Sequence, residues 1–66
     1  MICVKFSYPD IDEFDHITWA RENNIFIHGR FHKNGINIAY GWCESEEVVL
    51  LLKLKYPTAK VDPTLN

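Results

Sequence analysis

Asn34-Gly35 stands between two runs of alternating side chains, Ile25 to Lys33 and Ile36 to Trp42. Both residues accept the positive φ required at the centre of a type I′ turn, and that turn has the twist that two paired strands need. The dipeptide commits the middle of the chain to a hairpin. A two-residue turn also sets the register, pairing Phe31 with Ile38, Gly29 with Tyr40 and Ile27 with Trp42. Strict alternation then puts Ile25, Ile27, Phe31, Ile36, Ile38, Tyr40 and Trp42 on one face, and Phe26, His28, Arg30, His32, Asn37, Ala39 and Gly41 on the other. The first set is the more apolar and is expected to form the core.

The flanks supply the remaining elements. Ile2, Val4, Phe6 and Tyr8 alternate with Cys3, Lys5 and Ser7, which predicts a first strand ended by Pro9-Asp10. Asp10 and Glu13 have the spacing of a helix start, and Ile11, Phe14, Ile17 and Ala20 form a helical stripe that stops at Asn23-Asn24. Trp19 falls off that stripe, and His16 reads as a surface residue. Ser45 is placed to cap a second helix, with Glu46 and Glu47 at its start, Lys53 and Lys55 near its end, and Pro57 beyond. Ala59 and Val61 form a short last strand, leaving 63–66 as a flexible tail.

With right-handed crossovers, this order predicts an α+β fold: a ferredoxin-like βαββαβ two-layer sandwich, with sheet order 4-1-3-2 and both helices on one face. Sixty-six residues make a single domain, 1–66, with a core of about fifteen side chains and no second lobe to close over a substrate. That argues against a self-contained enzyme. A formal net charge of −2 gives no overall attraction to polyanions. Two cysteines without a C-x-x-C, and a start lacking a leader pattern, point to the cytoplasm. No apolar run approaches the ~18 residues of a membrane span.

The charges are unevenly distributed. Eight of the nine acidic residues fall on or beside the predicted helices. The uncovered sheet face is expected to receive Lys5, His28, Arg30, His32 and Lys60. The second helix is apolar around most of its circumference, so Leu50 and Leu54 should point away from the sheet.

The leading functional expectation is a small non-enzymatic protein-binding module. Trp19, Leu50 and Leu54 would serve as apolar anchors, and Phe26, His28, Arg30 and His32 as a second, polar contact strip. The partner would be a larger protein, with a second copy of the chain as another option. Size alone suggests an inhibitor or modulator of a host enzyme or nucleoprotein complex, of the kind encoded by phages and mobile elements. The alternative is single-stranded nucleic acid on the open sheet. That mechanism requires aromatics on the two central strands, whereas this reading puts Lys5, Ser7, Asn37, Ala39 and Gly41 there. A third option is a small RNase using His28, Arg30 and His32, although the two histidines lie about 13 Å apart along an extended strand. His28, Cys3 and Cys43 are the one imaginable metal cluster, and their spacing matches no zinc pattern. No cofactor is expected.

Overall fold

The computed structural model describes residues 1–62, and the tail expected at 63–66 lies outside them. Its strands are β1 (Ile2–Tyr8), β2 (Phe26–Lys33), β3 (Ile36–Cys43) and β4 (Lys60–Val61). Its helices are α1 (Asp15–Glu22) and α2 (Glu46–Lys55), and a 3-10 turn over Asp10–Asp12 precedes α1. The strands form one antiparallel sheet in the order β2-β3-β1-β4, the expected order read from the other edge. Asn34 and Gly35 both take positive φ, 53° and 77°, as the hairpin turn requires.

Local chemistry sets the ends of the elements. The Ser45 hydroxyl accepts a bond from the Val48 N–H at 3.4 Å, so α2 starts where its cap was predicted. Asn24 leaves α1 in the left-handed conformation, with φ 61°. On the β4 side of β1, the Thr58 hydroxyl accepts the Ser7 N–H at 2.9 Å, standing in for a ladder bond just before the two-residue β4.

The core lies between the helices and one face of the sheet. β1 contributes Val4, Phe6 and Tyr8, β3 contributes Ala39 and Cys43, and the helical layer adds Ala20, Val49, Leu52 and Tyr56. Phe6 is its centre, stacked on Tyr56 at 4.6 Å and met edge-on by His16 at 6.2 Å. One face of β1 thus receives side chains from both ends of the helical layer.

Two expectations are overturned. The first concerns the hairpin: the side carrying Ala39, Gly41 and Cys43 is buried, so Tyr40 and Trp42 lie on the opposite, open face. The reason is volume. Phe6 faces Ala39 and Val4 faces Gly41 across the β1–β3 ladder, so β1 supplies the bulk and β3 the space for it. A Cβ at Gly41 would strike the Phe26 carbonyl, which leaves no room for a larger residue there. The small, flat patch that Ala39 and Gly41 were expected to offer to solvent is therefore under the helices.

The second correction is the phase of α1. Ile11 and Phe14 are 90% and 74% exposed, while His16, expected at the surface, is as completely buried as Ala20, the stripe member that does face inward. The 3-10 turn is wound more tightly than an α-helix and shifts the phase before α1 begins. The inward stripe is therefore His16, Trp19, Ala20 and Asn23. His16 stacks on Tyr8 at 3.9 Å and donates from Nδ1 to the Asp12 carbonyl at 2.9 Å. Among the described residues, its Nε2 meets no hydrogen-bond partner.

Candidate functional site

The open face of the sheet is built in rows across the ladder. Phe26, Trp42 and Cys3 form the first row. Gly29, Tyr40, Lys5 and Lys60 form the second, Phe31, Ile38 and Ser7 the third, and Lys33 faces Ile36 beside the turn. An irregularity between Ile27 and Gly29 makes His28 the extra residue of a bulge. It brings Phe26, rather than Ile27, opposite Trp42, correcting the register expected from the turn alone.

The first two rows are closely organised. The Phe26 and Trp42 rings stack at 4.6 Å with 15° between their planes, and Phe26 remains 57% exposed. Tyr40 lies across β2 at Gly29, where a Cβ would come within 2.9 Å of its ring edge. Glycine here lets the ring lie flat on the sheet. His28 and Phe31 flank Tyr40, their ring centroids 6.0 and 6.1 Å away. A shallow hollow lined by Met1, Cys3, His28, Tyr40, Gly41 and Trp42 opens at the end of this strip.

Cations border the aromatics. Lys5 is the direct neighbour of Tyr40, and Lys60 is the direct neighbour of Lys5. Lys5 lies 3.8 Å from the Asp62 carboxylate, the acid at the β4 margin. The predicted acidity of the other layer follows from the positions of Asp10, Asp12, Asp15, Glu46 and Glu47 in the first turns of its helices.

The structure divides the expected polar strip between two faces. Phe26 belongs to the open face, and His28 sits on the bulge beside Tyr40. Arg30 and His32 turn to the helical side: Arg30 reaches the Glu13 carbonyl at 3.5 Å, and His32 donates from Nδ1 to Asn37 Oδ1 at 2.8 Å. The bulge causes this split by changing the phase of the alternation within β2. His28, Arg30 and His32 consequently do not share one surface on which to act on a phosphate.

The expected helical anchors also separate. Leu50 and Leu54 are 62% and 82% exposed on the outer side of α2, where α1 does not cover them. Trp19 is half-buried, edge-on to Tyr56 at 5.8 Å. Tyr40 and Trp42, expected in the core, are the open-face residues that alternation alone did not identify. The smallness of Ala39 and Gly41 between them was the available signal.

Cys43 does not join Cys3 and His28, which line one hollow on the open face. Ile2, not Cys3, pairs with Cys43, which lies on the helical face, where burial pushes its thiol pKa up. Among the described residues, no group of three or more His, Cys, Asp and Glu is arranged to hold a metal. Among them, too, no helix is long and apolar enough to cross a membrane. The buried Tyr56 hydroxyl donates to Asp12 at 2.8 Å. Burial first, and the Asp12 contact second, raise the Tyr56 pKa well above the usual phenol range.

No known protein family matches the chain, and no curated protein or solved structure shows significant similarity to it.

Proposed function

We propose that this protein is a non-enzymatic, cytoplasmic module that binds single-stranded nucleic acid on its open sheet face. The observation that carries the reading is the adjacency of Tyr40, Lys5 and Lys60 in one ladder row, between the Phe26–Trp42 stack and Phe31. Single strands bind where aromatic faces stack unpaired bases beside cations that track the phosphates. Phe26, Tyr40 and Phe31 supply the faces, and Lys5, Lys60 and Lys33 the cations. Ile36 and Ile38 give ribose and base edges an apolar floor. A sheet with acidic helices behind it steers a polyanion to one side even though the chain is slightly negative overall.

The ferredoxin-like arrangement expected from the element order belongs to this proposal, because it accounts for a sheet with one face left open. Two buried thiols suit a reducing compartment. The competing reading is a larger protein partner held by Trp19, Leu50 and Leu54 with Phe26, His28, Arg30 and His32 as a second strip; it divides its contacts between the two layers and of the open-face aromatics uses only Phe26.

Fluorescence anisotropy with mixed-sequence single-stranded DNA and RNA tests the proposal. Affinity should fall with salt at a log–log slope of about −2, as expected for three phosphate contacts on a single strand. Tyr40→Ala should weaken binding by about tenfold or more. No binding at low salt, or binding unchanged in both Tyr40→Ala and Phe26→Ala, overturns it.

A further inference from the structure

We propose that α2 is the contact helix of a symmetric homodimer, in which two copies pack their α2 outer faces antiparallel. Val49, Leu52 and Tyr56 point into the core, so Leu50 and Leu54 occupy the opposite side of the helix. Leu50 also lines a groove with Met1, Ile2, Val49 and Val61, which extends the apolar surface onto the sheet margin. Glu46 and Lys53 border the same groove.

Charge geometry selects the occupant. Glu46 and Lys53 lie one turn before and one turn after Leu50, on the same side of the helix and about 10 Å apart along its axis. Among the described residues, neither has an oppositely charged partner within its own chain. A two-fold axis beside Leu50 reverses the helix direction. It brings Glu46 against the second copy's Lys53, Lys53 against the second copy's Glu46, and the two Leu50 side chains together. An isologous contact makes every such pair twice. Parallel packing would oppose Glu46 to Glu46 and Lys53 to Lys53. A membrane surface calls for a basic border, which Glu46 and Glu47 do not provide. The proposal stands independently of what the sheet binds, and it leaves both open sheet faces accessible.

The contact is small, so it belongs to the weak class of interfaces and is sought at high protein concentration. Sedimentation equilibrium up to about 0.5 mM should show association from 7.8 kDa to twice that mass. Lys53→Glu and Glu46→Lys should each weaken the dimer by about tenfold, because each reversal opposes like charges at two places. Combining the two should restore it. Leu50→Asp should abolish it, with circular dichroism verifying that the chain stays folded. A monomer at the highest concentration overturns the proposal. A dimer indifferent to these changes, or a double reversal that fails to recover association, also overturns it.

Discussion

β3 has two faces that invert the usual allocation of bulk. The face under the helices carries Ala39, Gly41 and Cys43, whereas the uncovered face carries Ile38, Tyr40 and Trp42. The comparison teaches that core position and hydrophobic size are separate variables. β1 supplies the volume for the interior through Val4, Phe6 and Tyr8, which leaves β3's largest side chains on the uncovered face. Half-buried Tyr40 lies flat over Gly29, and half-buried Trp42 stacks on exposed Phe26, so the uncovered face is ordered by contacts among its own side chains.

The largest expected effect breaks the covered face. Leu52→Ala deletes a completely buried side chain and should cost about 3 kcal/mol, a large part of the stability of so small a domain. Phe26→Ala on the open face should cost less than about 1 kcal/mol, despite removing more carbon. Urea unfolding of the two variants measures the contrast, and equal losses would abolish the distinction between the faces.

A smaller effect probes the interior polar contact. Tyr56→Phe removes the bond to Asp12 and should cost about 1–2 kcal/mol near neutral pH. The same contact sets an alkaline limit. Because the folded state holds the Tyr56 proton more tightly than the unfolded chain, its stabilisation is complete below about pH 10 and is lost as pH rises beyond that. Thermal melts across this range should show a steeper alkaline decline for the native chain than for Tyr56→Phe, and parallel curves would refute the linkage.

The smallest stability effect sharpens the open face. Gly29→Ala forces the Tyr40 ring off the sheet but disturbs no backbone, so unfolding should shift by less than about 0.5 kcal/mol. Oligonucleotide affinity should nevertheless drop severalfold. Unchanged affinity would show that the flat seating of Tyr40 is irrelevant to binding.

Much of the architecture was legible in the residues. Asn34-Gly35, Ser45 and Pro57 are punctuation whose backbone demands are local, and they located the hairpin and α2 correctly. The order of the elements was enough to give the strand order. What failed depends on contacts between elements. Alternation has two solutions, and counting apolar residues chose the wrong face of β3, because the choice turns on the size of Phe6 opposite Ala39. Nothing in the alternation of β2 announces the bulge at His28, so Arg30 and His32 were assigned to the same face as Phe26. His16 was missed because the 3-10 turn resets the helical phase. Leu50 and Leu54 were read correctly as outward-facing, since helical geometry alone decides which residues oppose Leu52.

The hydroxyl of Thr58 has a consequence for how far copies of this chain can join by sharing their sheets. Growth by strand addition requires a live template at both margins of each unit, as in a fibril. Among the described residues, the margin beyond β1 consists of that side chain and a two-residue strand, too little to dock a neighbour in register. Among the described residues the β2 margin alone has the length for it, so strand addition through them would join two copies and go no further.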